Sequence, residues 1–421
     1  MKIYFSGIGG VGVGPLAEIA HDAGYQVIGS DLEESLMTEQ LRRKNITINI
    51  GQNGTFLRQC HLESPIDWFI HTSALPKDHP ELLAARKLGI KTAKRDELLA
   101  HIIKEKNLKL IAVAGTHGKT TTTGMLIWVF KQLGIPVSYS IGTTISFGSS
   151  GEFDSDSQYF IYECDEFDRN FLHFYPYLSL ITSLDYDHPD TYPSKHDYFD
   201  AFRQFASQSR RTIIWRDQQS DIFEKINEID ILDPQQINPD LRLAGIHNRR
   251  NATLSIKAIE KLGINQNIND ILSDFPGTDR RFEKLAPNLY SDYGHHPIEI
   301  AATLQMAREL SDNVVLVYQP HQNIRQHHIR DEYTDQFELA EKIYWLPTYL
   351  SREDPNLRIL SPEELIQNLT NKNAVSIADF NDDLWNEIVK HLDNSQLVLC
   401  MGAGRIDSWV RQRLISNRKP E

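Results

Sequence analysis

At 421 residues the chain exceeds one ordinary hydrophobic core, so two or three domains are expected, three by preference. A formal net charge of −13 leaves no continuous basic face for nucleic acid. The three widely spaced cysteines (Cys60, Cys164 and Cys400), the lack of an apolar run of about 18 residues and an early glycine-broken start point to a cytoplasmic protein with structural thiols and no membrane partner.

The chain opens as a strand (KIYFSGI), a glycine turn, a helix (PLAEIAHDAG) and a second strand (YQVIGSD) ending at Asp31. This is a βαβ start. Gly7, Gly9 and Gly12 fit GxGxxG, and Asp31 lies about twenty residues on, where dinucleotide folds place an acid on the ribose. A nicotinamide dehydrogenase satisfies that pattern, and so does any nucleotide diphosphate held by the same turn. WFIHTSALP then reads as a strand with its loop, and HPELLAARKLG and RDELLAHIIKEK as helices, before a linker near Asn107.

From Leu108 a second α/β unit begins, and its stretch IAVAGTHGKTTTT is the most informative in the chain. An apolar strand ends in a small-residue turn with Gly115, Gly118, Lys119 and Thr120. Backbone N–H groups of such a turn converge on phosphate, the lysine adds a point charge, and the threonine hydroxyl can ligate Mg²⁺. The spacing departs from GxxxxGK[ST], because Val113 stands where the first glycine is usual; the strand, loop and helix order carries the assignment. The unit continues through YFIYECDEFD and LSLITSLDYDH and ends near Gly277, as a parallel sheet with helices on both faces.

Acids and imidazoles at strand ends of an open sheet are ligand candidates. Glu163 and His188 beside the phosphate loop can hold Mg²⁺, directly or through water. Asp165, Glu166 and Asp168 include solvated loop acids, and His188 before Pro189 also reads as a turn residue. In GIHNRRNATLSIKAI, Asn248 and Asn251 suit a base edge and serve equally as helix caps. Arg280 and Arg281 in FPGTDRRFEK suit phosphate or a surface ion pair.

The third region opens at RRFEK, carries strands NLYSDYG and NVVLVYQP with the helix IEIAATLQMARELS between them, and closes with QLVLCMG, the turn GAG and the helix RIDSWVRQRL. SDYGHHPIEI and YQPHQNIRQHH hold His295, His296, His321, His327 and His328 with Asp292 and Arg325. Adjacent histidines point apart and the acid is not at ligand spacing, so an anionic substrate is preferred over structural zinc.

Together the stretches GIGGVGV, IGSDLEES, TSALPKDHPELLAARKLGI, AGTHGKTTTT, ECDEFDRNFL, DYDHPDTY, GIHNRRNA, FPGTDRRFE, DYGHHPIEI, QPH and LVLCMGAGRI resemble the Mur ligase family of peptidoglycan synthesis, most closely its UDP-N-acetylmuramate:L-alanine ligase branch. The resemblance implies an α/β fold of three domains: a Rossmann-like UDP-sugar domain (1–107), a P-loop ATPase domain with a mainly parallel sheet (108–277) and a Rossmann-like C-terminal domain for the amino acid (278–421). It implies an ATP- and Mg²⁺-dependent ligase that activates the muramoyl carboxylate as an acyl phosphate and couples it to an amine, serving cell-wall synthesis, shape and division. A monomer or weak homodimer is expected.

By family position, Gly7, Gly9, Gly10, Val11, Gly12, Asp31 and Ser73 would meet the UDP-sugar. Gly115, Thr116, His117, Gly118, Lys119, Thr120 and Thr121 would cradle the phosphates, Asn248, Asn251 and Asp292 would contact adenine or ribose, and Arg281 the phosphates. Thr120, Glu163 and His188 would bind metal, and His295, His321 and Arg325 the amino acid. Lys119, Glu163, His188 and His295 form the implied catalytic set.

Three departures stand out. Gln322 replaces an arginine usual after QPH, the 211–245 segment is short, as if a hairpin of the central domain were trimmed, and Gly142–Thr143–Thr144 replaces a usual GG pair. A tripeptide-adding recycling ligase and a non-catalytic UDP-sugar sensor are the competing expectations. No carbamylated lysine is expected in this branch.

Overall fold

The computed structural model describes residues 1–421 except 73–74, 189–190, 219, 224–225, 227, 352 and 417–421. Its packing divides into two units: residues Met1–Leu241 with Asn251–Phe275, and Arg242–Arg250 with Pro276–Glu421.

The first unit carries two sheets. In the first, strands β1 (Lys2–Ser6), β2 (Gln26–Asp31), β3 (Thr47–Ile50), β4 (Trp68–His71) and β5 (Lys91–Lys94) are all parallel, in the order β3-β2-β1-β4-β5. Helices α1 (Gly14–Asp22), α2 (Leu36–Arg43), α3 (Thr55–Glu63), α4 (Pro80–Lys87) and α5 (Arg95–Glu105) connect them. Local signals set several starts: Pro15 and Pro80 sit in first turns, where a missing N–H costs nothing, and Ser35 accepts from Thr38 N at 3.2 Å to cap α2.

The second sheet comprises β6 (Lys109–Ala114), β7 (Ser138–Ser140), β8 (Gly151–Glu152), β9 (Tyr159–Glu163), β10 (Leu178–Ile181), β11 (Thr212–Trp215) and β12 (Ile229–Leu232), ordered β12-β11-β10-β6-β9-β7-β8. Only the β7–β8 pair is antiparallel. Strand β6 is buried from Leu110 to Ala114, which is why it reads as a continuous apolar run. It feeds α6 (Lys119–Gln132); α7 (Lys195–Gln208), α8 (Ile246–Lys261) and α9 (Asn269–Ser273) follow. Within the short 211–245 segment, β11 and β12 pair in parallel.

In the second unit, β13 (Glu283–Ala286), β14 (Leu289–Asp292), β15 (Val314–Tyr318), β16 (Lys342–Trp345), β17 (Val375–Ile377) and β18 (Leu397–Met401) form the sheet β13-β14-β18-β15-β16-β17, antiparallel only at β13–β14. Helices α10 (Pro297–Leu310), α11 (Asn323–Ile329), α12 (Pro362–Ile366), α13 (Asp382–Asp393) and α14 (Ile406–Ser416) complete it. Tyr318, Tyr333, Phe337 and Trp345 pack edge-on or tilted in one fully buried cluster.

A sequence expectation of a central region running unbroken to 277 meets one difference. Residues 242–250 pack with the third sheet, because Arg249 donates from both Nη atoms to the Glu309 carboxylate at 2.8 and 2.9 Å and Gly245 N donates to the same group at 2.9 Å. The three cysteines are buried and unpaired. Among the described residues no helix is long and apolar enough to cross a membrane.

Candidate active site

In the two sheets of the first unit the strand order reverses around one strand, and open α/β sheets bind ligands outside such a strand's carboxyl end. Here β1 lies between β2 and β4, and β6 between β10 and β9. The glycine turn follows β1; the phosphate loop follows β6.

The phosphate loop is held open by its neighbours across the β10 end. Thr116 N donates to Ser183 O at 3.1 Å, His117 N to Ser183 Oγ at 2.8 Å, and Thr116 Oγ1 to Asp185 O at 2.6 Å. Gly115 (φ +129°) and Gly118 (φ +84°) occupy left-handed backbone, and a Cβ on Gly115 would lie 2.5 Å from Thr182 Oγ1. Gly115→Ala is therefore expected to destabilise the fold by about 1–3 kcal/mol and weaken nucleotide binding, checked by thermal melts and nucleotide titration.

Lys119, at the start of α6, folds back over the loop. Its ammonium donates to Gly115 O, to Thr116 O at 3.3 Å, and to both oxygens of Glu166 at 2.8 and 3.0 Å. Burial works against the charge on Lys119, yet the facing Glu166 carboxylate outweighs it and holds the ammonium above the ordinary lysine value. Glu166 is only 1 % exposed. That corrects the expectation of a solvated loop acid: the 3₁₀ turn after β9 carries it inward beneath the loop, where a charge survives only with a partner. Asp165 and Asp168, also expected to be solvated, pair with Arg95 and Lys94. His188 (φ +57°) brings Nε2 to 3.8 Å from Glu166 Oε1 and sets its ring edge-on to Phe167.

Thr120 Oγ1 donates to Glu163 Oε1 at 2.6 Å, and Gly142 N donates to Glu163 Oε2 at 2.7 Å. A Cβ on Gly142 would lie 3.0 Å from that oxygen, so a glycine before Thr143 serves close approach to Glu163. Adjacent hydroxyl and carboxylate oxygens beside a phosphate loop are hard donors of the kind that would suit Mg²⁺. His188 stands with Glu166 rather than with Glu163. Among the described residues no three His, Cys, Asp or Glu side chains gather at metal-ligand distance.

Asn251 lies against the loop: a Cβ on Gly118 would be 2.9 Å from its Oδ1. Asn248 does not join it there, since its amide donates to Ala244 O at 3.0 Å and to the Met306 sulfur at 3.1 Å.

Around the first glycine turn, Asp31 Oδ2 accepts from Gly9 N at 2.7 Å and Oδ1 from Leu32 N at 2.7 Å, so this acid shapes the turn. Gly7 N and Ile8 N both donate to Ser30 O at 2.9 Å. Val11 is 94 % exposed at the turn's crest, beside Gly10 and Gly12. Ser73 lies outside the described residues.

In the second unit the loops after β14, β15 and β18 converge. His295 Nε2 accepts from Arg325 Nη1 at 2.7 Å, which leaves Nδ1 as the protonated nitrogen, donating to Tyr293 O at 3.1 Å. Burial and, behind it, the nearby Arg325 and His321 press the His295 pKa down to about 3, against the pull of Glu299. The neutral ring thus orients Arg325. His321 stacks on Tyr349 with centroids 5.7 Å apart, and burial with Arg325 lowers its pKa to about 4. Arg280 and Arg281 both lie over the Tyr293 ring, at 4.6 and 5.2 Å, and Arg281 faces Glu299 at 3.8 Å.

Asp292, expected at the nucleotide, is turned inward and 6 % exposed. It accepts from Phe282 N at 2.8 Å and Gly294 N at 2.7 Å, and burial raises its pKa to about 6 despite Arg281. Gln322 takes φ +59°, and its N–H donates to Tyr349 O at 2.8 Å.

Sequence reasoning missed Glu166 and Arg95 as members of these sites. The three acids of CDEFD look alike in sequence, and no local spacing says which one faces the lysine.

Three family models match in succession: the Mur ligase family catalytic domain over 2–107, the Mur ligase middle domain over 113–231, and the Mur ligase glutamate ligase domain over 280–404. The chain is 32 % identical to the UDP-N-acetylmuramate–L-alanine ligase of Carboxydothermus hydrogenoformans, over 97 % of this chain and 95 % of that protein. It is 30 % identical to the ligase of the same name from Caldicellulosiruptor saccharolyticus, over 100 % and 99 %. The crystal structure of the Thermotoga maritima UDP-N-acetylmuramate–alanine ligase shares the fold, with a TM-score of 0.74, 23 % identity, and 99 % and 100 % coverage. A murein peptide ligase from Psychrobacter arcticus does so at TM-score 0.64 and 24 % identity, covering both chains fully.

Proposed function

Because the chain belongs to the Mur ligase family, we propose that it couples an amino acid, L-alanine foremost, to the lactyl carboxylate of UDP-N-acetylmuramate, with ATP cleaved to ADP and phosphate. The observation that carries this reading is the phosphate loop at the β6 switch point with Lys119 and Thr120 each set against a different glutamate. The domains would divide as 1–107 for the UDP-sugar, 108–277 for ATP and 278–421 for the amino acid.

A carboxylate approaching a triphosphate is repelled unless charge is offset. Lys119 supplies one positive charge at the outer phosphates, released from Glu166 as a competing anion arrives. Mg²⁺, held by Thr120 and Glu163, would supply the remaining neutralisation. One carboxylate oxygen bonds to the γ-phosphorus as the bridging bond to ADP breaks, giving an acyl phosphate. The amine nitrogen then bonds to the acyl carbon, loses a proton, and phosphate departs with the C–O bond electrons. Arg325, held by neutral His295, and His321 would receive the amino-acid carboxylate.

Gln322, in place of the usual arginine, favours a second reading in which the amine belongs to a whole tripeptide. ADP and phosphate release measured with UDP-N-acetylmuramate and L-alanine, glycine, L-serine or a tripeptide separates the two. Turnover is expected only when sugar nucleotide and amine are both present, and fastest with L-alanine. No sugar-dependent ATP consumption with any amine refutes the ligase.

A further inference from the structure

The start of α5, on the first sheet, is latched to the turn after β9, on the second. Lys94 pairs with Asp168; Tyr162 donates to Asp96; Arg95 Nε donates to Asp96 Oδ2 at 3.1 Å and its Nη2 stands 3.5 Å from Asp165 Oδ2. The other edge of this guanidinium faces the glycine turn, where a Cβ on Gly12 would lie 2.5 Å from Arg95 Nη1. No left-handed φ accounts for a glycine at 12; the room it leaves is filled by the guanidinium.

Asp165 in turn braces the acid turn. Its Oδ1 accepts from Phe167 N at 3.0 Å and its carbonyl from Phe171 N at 3.1 Å, between Glu163, which faces Thr120, and Glu166, which faces Lys119.

We propose that Arg95 binds the diphosphate of the UDP-sugar at the Gly12 turn and, through Asp165, couples occupancy of that site to the acids of the ATP site. This deepens the ligase reading and rests on it. A guanidinium fork can keep one carboxylate on one edge and take a diphosphate on the other, which a lysine cannot do with equal geometry. Asp165 pre-orients that fork, so the diphosphate meets a cation already placed, and the acid turn feels the second anion that now shares its guanidinium.

Calorimetric titration of UDP-N-acetylmuramate, with and without Mg²⁺ and a non-hydrolysable ATP analogue, tests this. In the wild type the analogue is expected to change sugar-nucleotide affinity by about fivefold or more. Arg95→Met should weaken UDP-N-acetylmuramate at least about tenfold while the analogue alone binds as before, and Arg95→Lys should recover part of the loss. Asp165→Asn should keep most of the sugar-nucleotide affinity and bring the coupling factor near one. Wild-type affinity in Arg95→Met, full coupling in Asp165→Asn, or equal loss of both ligands in Arg95→Met overturns the inference and leaves the ligase reading standing. A wild type that binds no UDP-N-acetylmuramate overturns both.

Discussion

Lys119→Ala is expected to lower sugar-dependent ADP formation by at least about 10²–10³-fold and to destabilise the first unit by about 3–5 kcal/mol. The first effect follows from removing the cation that meets the outer phosphates. The second follows from Glu166, which at 1 % exposure loses the ammonium that offsets its burial and must either hold an unpaired charge in a dry site or take up the proton that burial already favours, while His188 stands at 3.8 Å. Because the two losses have different origins, they separate in a double variant. Lys119→Met with Glu166→Gln removes both charges, so chemical denaturation should show most of the stability regained while phosphate release stays abolished. UDP-N-acetylmuramate affinity should persist in Lys119→Ala, because the glycine turn after β1 belongs to a different sheet. Turnover near the wild-type rate in Lys119→Ala would remove the phosphate loop from the chemistry. Unchanged stability would mean that the Glu166 pairing contributes nothing to the fold.

The second large effect is loss of the second unit in mild acid. His247, His295 and His321 have folded pKa values of about 4, 3 and 4, lowered from 6.5 chiefly by burial, and all three lie in that unit. A group that folds in its neutral form binds fewer protons folded than unfolded below pH 6.5. The stability these histidines contribute is complete above that pH and lost as pH falls toward 4. Asp292 acts in the opposite sense. Its folded pKa of about 6 exceeds 3.8, so the cost of burying its charge is absent below pH 3.8 and complete above 6. Three groups against one leave a net of two protons, and stability should fall by on the order of 2–3 kcal/mol per pH unit between pH 6 and 4. Thermal melts from pH 7.5 to 4.5 check this, and His321→Asn should flatten the slope. A melting temperature constant from pH 7 to 5 would show that these rings stay solvated.

Legibility differed by kind of feature. The turns IGGVG and GTHGKT stood out because a phosphate cradle is built from contiguous residues, and both sit at switch points as their strand–turn–helix order implied. The long runs of β15 and β18, buried at every position, were equally plain. Strands β16 and β17, of four and three residues, and helices α11 and α12, of seven and five, were not, since short elements carry too little periodicity and NIRQHHI draws the eye to its histidines rather than its helical spacing. Asn248 and Asn251 looked equivalent, but one turn of α8 separates a residue packed on Met306 from one packed on Gly118.

The sequence alone determined the family, the three-domain α/β architecture, and the lysine and threonine of the phosphate loop, because each depends on residues adjacent along the chain. Tertiary structure alone decided which acid the lysine meets, Glu166, 47 residues away, and which atoms touch within the other groups: Thr120 donates to Glu163, 43 away, and Arg325 to His295, 30 away. The reason is geometric. A parallel sheet brings loops distant in sequence to one edge, and only the turn after β9 determines which carboxylate points inward and which remains at the rim.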